Sequence, residues 1–208
     1  MGALFYNCSS LTSIDLSGFN TEKATDLSSM FYNCSGLVNL DLSRFNTEKV
    51  TTMSQMFYNC SSLTNLDLSS FSTPLVTGYG MSMMFYNCSS LTNLNLSRFN
   101  TSSITKMGFM FYNCRNLTIL DLSSFDTSSV TEMWYMFNSC ENLKKIYVNN
   151  TFVTTKVSES SSMFTSCTNL VGGNGTTYDS NKVDKTYALI DKEGQKGYFT
   201  DISQKATE

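Results

Sequence analysis

Seven cysteines (Cys8, Cys34, Cys60, Cys88, Cys114, Cys140 and Cys167) and a row of carboxylates are the side chains with the most chemistry to offer in these 208 residues. No histidine occurs, so the usual general base at neutral pH is missing and neither a Ser-His nor a Cys-His pair is available. The cysteines have no Cys-x-x-Cys spacing, and without histidine they lack the partners that complete a zinc site. All seven stand at one position of a repeating unit. Members of such a column stack ~5 Å apart with parallel Cα–Cβ vectors, whereas a disulfide needs Cβ atoms ~3.8 Å apart and facing each other. They are expected to be free, buried thiols packing as small apolar side chains. No metal, no cofactor and no catalytic residue is expected.

The carboxylates form a second column: Asp15, Asp41, Asp67, Asn95 and Asp121, then Tyr147. Neighbouring aspartates ~5 Å apart repel by roughly 0.8 kcal/mol in water, which a cation or a substrate could relieve. A catalytic pair would occur once and not at every unit, so these carboxylates are expected to accept hydrogen bonds from nearby Ser, Asn and backbone groups. Gly172-Gly173-Asn174-Gly175 lacks the Lys-Ser/Thr of a phosphate loop and reads as a turn. Asn-Cys-Ser at Asn7, Asn33, Asn59 and Asn87 is a by-product of the repeat column, not a sign of glycosylation.

The unit that positions these columns opens with Phe-x-x-Cys at Phe5, Phe31, Phe57, Phe85, Phe111, Phe137 and Phe164, at intervals of 26, 26, 28, 26, 26 and 27 residues. A fixed period of this size marks stacked supersecondary units. Within one unit, Leu37-x-x-Leu40-x-Leu42 places Leu40 and Leu42 on one side of a short strand and Asn39, Asp41 and Ser43 on the other. Val50, Met53, Met56, Phe57 and Cys60 follow a helical stripe, with Thr51 as its N-cap. The spacing therefore predicts an α/β solenoid, with parallel strands on one face and short helices on the other, wound right-handed. Residues 1–170 form the array. Residues 171–201, with strand-like runs at 186–190 and 197–200 around Gly194, predict a β-hairpin cap, and residues 202–208 a polar tail.

Charge narrows the partners. A net charge of −3 with scattered Lys and Arg lacks the basic stripe of a nucleic-acid surface. No apolar run reaches the ~18–20 residues of a membrane span. No signal peptide is apparent, and the chain reads as a piece of a longer protein. In that case Leu11–Leu16 would be an exposed edge strand, expected to pair with another chain, and Lys at Ser13 would suppress the pairing.

The units disagree in one informative column. On the expected helix, Ser29, Gln55, Met83, Phe109, Tyr135 and Ser162 occupy the outward centre, polar at both ends and apolar in three consecutive units. Trp134, the single tryptophan, adjoins Tyr135, and Tyr79 stands in the two-residue insertion of the third unit. Tyr79, Met83, Phe109, Trp134 and Tyr135 are the expected partner-binding patch.

The unit Met-Phe-Tyr-Asn-Cys-Ser-Ser-Leu-Thr-Asn-Leu-Asp-Leu-Ser-Ser-Phe, followed by Val-Thr-x-Met, resembles the repeat of BspA-like leucine-rich-repeat surface proteins across residues 3–170. The run from Gly172 through Tyr187 to Thr200 is similar to the segment that closes such arrays. The resemblance implies an extracellular or cell-surface location and a non-enzymatic adhesion module for a protein or glycan ligand of a host or neighbouring cell. It carries over no shared binding residue. Two other functions fit the residues: a carbohydrate-binding or carbohydrate-active protein using the Asp column, and a passive spacer.

Overall fold

The computed structural model describes residues 1–207. From the third unit to the sixth, each contributes one very short strand, because only three or four residues alternate cleanly before a turn. These are β1 (Asn65–Asp67), β2 (Asn93–Asn95), β3 (Ile119–Asp121) and β4 (Lys145–Val148), and β5 (Thr200–Asp201) comes from the C-terminal segment. The strands pair in parallel as β1-β2 and β3-β4-β5, and β1-β2 and β3-β4 join equivalent residues of successive units, as in Leu66 to Leu94 and Leu120 to Ile146. The alternation expected from the sequence holds. Leu66 and Leu120 are buried and Asp67 is exposed. Leu40 is half-buried, while Leu42, Phe45, Val50, Met53, Met56, Phe57 and Cys34 are fully buried. In the first two units the chain passes in the same way without a regular strand, so residues 11–16 do not form the edge strand expected.

The opposite face corrects the expectation of short helices: there is no α-helix among the described residues. The amides of Leu27, Ser29, Phe31 and Asn33 donate to Thr52, Ser54, Met56 and Tyr58 of the next coil, at 2.7–3.0 Å. The intervening amides of Met30, Tyr32 and Cys34 close turns onto the residue three positions back. Half of the amides thus tie coil to coil, where a helix would use all of them internally. The cause is a left-handed residue every fourth position, such as Ser29 and Asn33, Gln55 and Asn59, Met83 and Asn87. Each interrupts a right-handed helix, and asparagine adopts this conformation more readily than most. Thr51 accordingly caps no helix; its hydroxyl donates to Thr25 O of the preceding coil.

With the coils in register, identical side chains stack. Phe5, Phe31, Phe57, Phe85, Phe111, Phe137 and Phe164 form a column of near-parallel rings with centroids 5.4–5.9 Å apart. Beside it each thiol from Cys34 onward donates to the phenylalanine carbonyl of the coil before, as Cys60 Sγ does to Phe31 O at 3.1 Å and Cys114 Sγ to Phe85 O at 3.2 Å. The cysteines are free, and all but Cys8 are buried. Buried Thr21, Thr47, Thr73, Thr101 and Thr127 stitch the coils at the opposite turn. Each hydroxyl donates to a carbonyl of the next coil and accepts an amide from it, as Thr47 does with Ser72 O and Ser72 N.

The C-terminal segment differs from the hairpin expected. Residues Lys185–Tyr187 form a 3₁₀ helix capped by Asp184, and Ile190 and Phe199 meet in a single parallel bridge. The antiparallel bridges here are short local ones, Val171 with Thr177 across the glycine-rich loop and Lys192 with Gln195 across the turn at Gly194. The reason is Asp191, which turns inward. Its carboxylate accepts the amides of Asn174 and Thr176 and the Thr176 hydroxyl at 2.7–2.9 Å, pinning the glycine-rich loop and breaking the pairing. Tyr198 and Phe199 lie edge-on over Phe164, covering the last coil. β5 then extends the sheet beside β4. Of the expected polar tail, Ile202–Thr207 is a 3₁₀ helix, and Lys205 Nζ lies 2.5 Å from the Asp121 carboxylate. Glu208 lies outside the described residues.

Candidate functional site: an aromatic edge across the middle coils

The outward column of the sequence survives the loss of the helix, because the left-handed position in each coil turns its side chain to the flank. Met83, Phe109 and Tyr135 all have positive φ, between 54° and 58°, and are half-buried. Phe109 and Tyr135 stack with centroids 4.9 Å apart and planes 3° from parallel. Trp134 lies 5.4 Å from Phe109 and is 41% exposed. Its pyrrole edge rests against Gly108, where an added Cβ would come within 2.2 Å of Nε1. Gln55 reaches Met83 with its amide, 3.6 Å from Sδ.

Tyr79 is 61% exposed on the bulge opened by Gly78 (φ +57°). The Lys106 ammonium sits over its ring at 4.3 Å and pairs with Glu132 at 2.5 Å. Glu132, followed by Tyr79, holds the Lys106 pKa above its ordinary value. The next rung adds Glu159, bridged to Glu132 through the backbone and exposed. The structure therefore gathers Phe109, Trp134 and Tyr135 into one cluster. Met83 lies one coil before Phe109 in the same column, and Tyr79 joins the edge through Lys106 and Glu132.

A neighbouring feature escaped the reading of the sequence. Tyr6, Tyr32, Tyr58, Tyr86 and Tyr112 form a stack of rings 4.4–4.6 Å apart along the same flank. Tyr86 and Tyr112 touch Phe109 at 6.0 and 5.6 Å, so this ladder runs into the cluster. Burial between its neighbours pushes the Tyr58 hydroxyl up to about 12. Beside it Asn33, Asn59, Asn87 and Asn113 each donate their side-chain amide to the asparagine of the coil before. The signal was there in the Phe-Tyr-Asn-Cys repeated in the first five units, before Phe137-Asn138-Ser139-Cys140 and Phe164-Thr165-Ser166-Cys167 replace it.

Of the acidic column, Asp67, Asn95 and Asp121 lie on β1, β2 and β3, Asp15 and Asp41 lie on no strand, and the outward position expected of Tyr147 is not found. One oxygen of each of Asp15, Asp41, Asp67, Asn95 and Asp121 accepts the amide of the serine two residues on, at 2.8–3.1 Å. Those serine amides depress the pKa values of Asp15, Asp41 and Asp67. Burial raises that of Asp121, but Lys205 and Ser123 outweigh it. Tyr147, the sixth member, is buried beneath Lys205. Among the described residues no group of three or more His, Cys, Asp or Glu is arranged to hold a metal ion.

No curated protein matches the chain. A solved structure of a leucine-rich cell surface protein from Faecalibacterium prausnitzii A2-165 is similar at 23% identity and a TM-score of 0.39, over 60% of this chain and 36% of that one. The chain thus spans about a third of that protein's resolved length. A family described as "Mycoplasma protein of unknown function, DUF285" matches residues 1–98 and 79–198. With nearly every coil inside those matches, the chain belongs to this family, and the BspA-like character of its repeat unit is borne out.

Proposed function

We propose that this chain is a surface-displayed, non-enzymatic binding module, a right-handed solenoid whose contact face is the aromatic edge of the middle coils. The observation that carries the reading is the left-handed backbone at Met83, Phe109 and Tyr135. A bulky residue there costs of order 1–3 kcal/mol, and such strain gathers at functional positions. The equivalent positions at the ends of the array hold Ser29, Gln55 and Ser162, so the backbone does not require an aromatic side chain. Ring stacking returns about 0.5–1.5 kcal/mol per pair, which offsets part of the cost and leaves a half-buried apolar edge flanked by exposed Trp134 and Tyr79. Surface location follows from the BspA-like resemblance of the repeat.

The Asp column supports a catalytic reading less well. Its carboxylates are engaged in turns and held ionised, which makes them poor proton donors at neutral pH. The test is binding of the labelled chain to cultured epithelial and bacterial cells. Phe109→Ser with Tyr135→Ser should keep the fold and weaken binding by about 2 kcal/mol or more. A double variant that loses ~3 kcal/mol of stability with binding unchanged would assign both residues to the core.

A further inference from the structure

We propose that the aromatic edge is a platform for a neutral oligosaccharide, with Trp134 and Tyr79 as its two ring contacts and the Lys106–Glu132 pair as its hydrogen-bonding centre. This rests on the binding-face reading and names the ligand class of the same face. Its basis is the mixture of groups. The ring of Tyr79 carries the ammonium of the ion pair, and Trp134 follows Glu132 by two residues with buried Met133 between them. Glu132 and Trp134 therefore emerge on the same side. Both members of the pair keep 24% of their side chains exposed. A protein partner presenting an apolar centre would bury that pair without replacing the hydrogen bonds it makes to water, which is costly.

A pyranose has the complementary pattern: an apolar C–H face to lay on an aromatic ring and hydroxyls at its rim. Those hydroxyls replace water on carboxylate and ammonium one for one. Charge selects further. Glu132 neutralises Lys106, and Glu159 adds an exposed carboxylate on the adjoining rung, so the face repels anionic sugars. Gly108 completes the platform. Any side chain there would displace the indole from its seat.

Trp134 is the single tryptophan, so its fluorescence reports the site directly. The full chain is titrated with cellohexaose, maltohexaose and chitohexaose, with a heparin hexasaccharide as the anionic comparison. At least one neutral hexasaccharide should shift the emission saturably, and heparin should not. Glu132→Gln, Tyr79→Ala and Gly108→Ala, each with an unchanged thermal midpoint, should weaken that binding about tenfold or more. Trp134→Ala, followed by calorimetry, should abolish it. Absence of binding by all three neutral sugars, binding by heparin alone, or binding indifferent to these variants overturns the proposal. If the sugars fail while Phe109→Ser with Tyr135→Ser still removes cell binding, the face binds a protein and only the saccharide assignment falls. If sugars bind through Trp134 while that double variant leaves cell binding intact, the contact-face reading falls instead.

Discussion

At the scale of single residues, the asparagine of the Phe-Tyr-Asn-Cys coils does two jobs. Asn59 holds a left-handed backbone (φ 57°) and links its amide to Asn33 and Asn87. The two roles separate by substitution. Asn59→Gly keeps the backbone accessible and loses only the amide chain, whereas Asn59→Ala loses both, so alanine should be worse by about 1 kcal/mol. Equal losses, read by denaturant unfolding, would show that the side-chain ladder carries the whole effect. The cysteines make a second residue-scale prediction. Burial raises the thiols, Cys34 to about 11 and Cys88 and Cys140 to about 12, so almost no thiolate forms at neutral pH. Counted by mass spectrometry after brief exposure to a thiol reagent, one label should appear, on half-buried Cys8. Rapid labelling of Cys60 or Cys114 would contradict the packing.

At the scale of elements, the strand face was legible because alternation of Leu with Asp or Asn has one reading. The other face was not. Val50, Met53, Met56, Phe57 and Cys60 fit a helical stripe, yet a turn every fourth residue yields the same inward set. Only the fixed Asn, a residue tolerant of positive φ, distinguished the two. The aromatic edge was still found, since its outward position depends on the inward set and not on the helix. In the C-terminal segment the runs around Gly194 looked like a hairpin because nothing in the sequence marks Asp191 as an inward-facing anchor. Its burial opposes ionisation, but the donors from Thr176 and Asn174 outweigh it and lower the pKa. Asp191→Ala removes the buried acceptor of three part-buried hydrogen bonds and should cost about 1–3 kcal/mol. The depressed carboxylates also fix a sign for acid. A group whose folded pKa lies below its unfolded 3.8 stabilises the fold above that value and loses the contribution as pH falls through the folded pKa. The thermal midpoint should therefore fall as pH drops below about 4, and less steeply in Asp191→Asn.

At the scale of the whole molecule, each coil touches only its neighbours, so stability accumulates along the array instead of in one centre. The two ends differ. Phe5, Cys8, Leu11, Ile14 and Phe19 of the first coil are only partly buried, whereas Cys167 and Leu170 of the last coil are fully covered. The covering comes from Phe199, which packs edge-on against Phe137, Phe152 and Phe164 at 4.9–6.5 Å, and from Tyr198 beside it. Amide exchange should follow this gradient. Phe5 and Leu11 should exchange first, through local opening, and the amides around Phe111 and Phe137 last. Phe199→Ala removes the shared ring and should cost ~3–5 kcal/mol at that end. Its effect should be local: Cys167 and Leu170 lose protection, while Phe31 and Phe57, several coils away, keep theirs. Uniform acceleration at all of these amides would mean that the array opens as a single cooperative unit, and that coil-by-coil addition of stability is wrong for this protein.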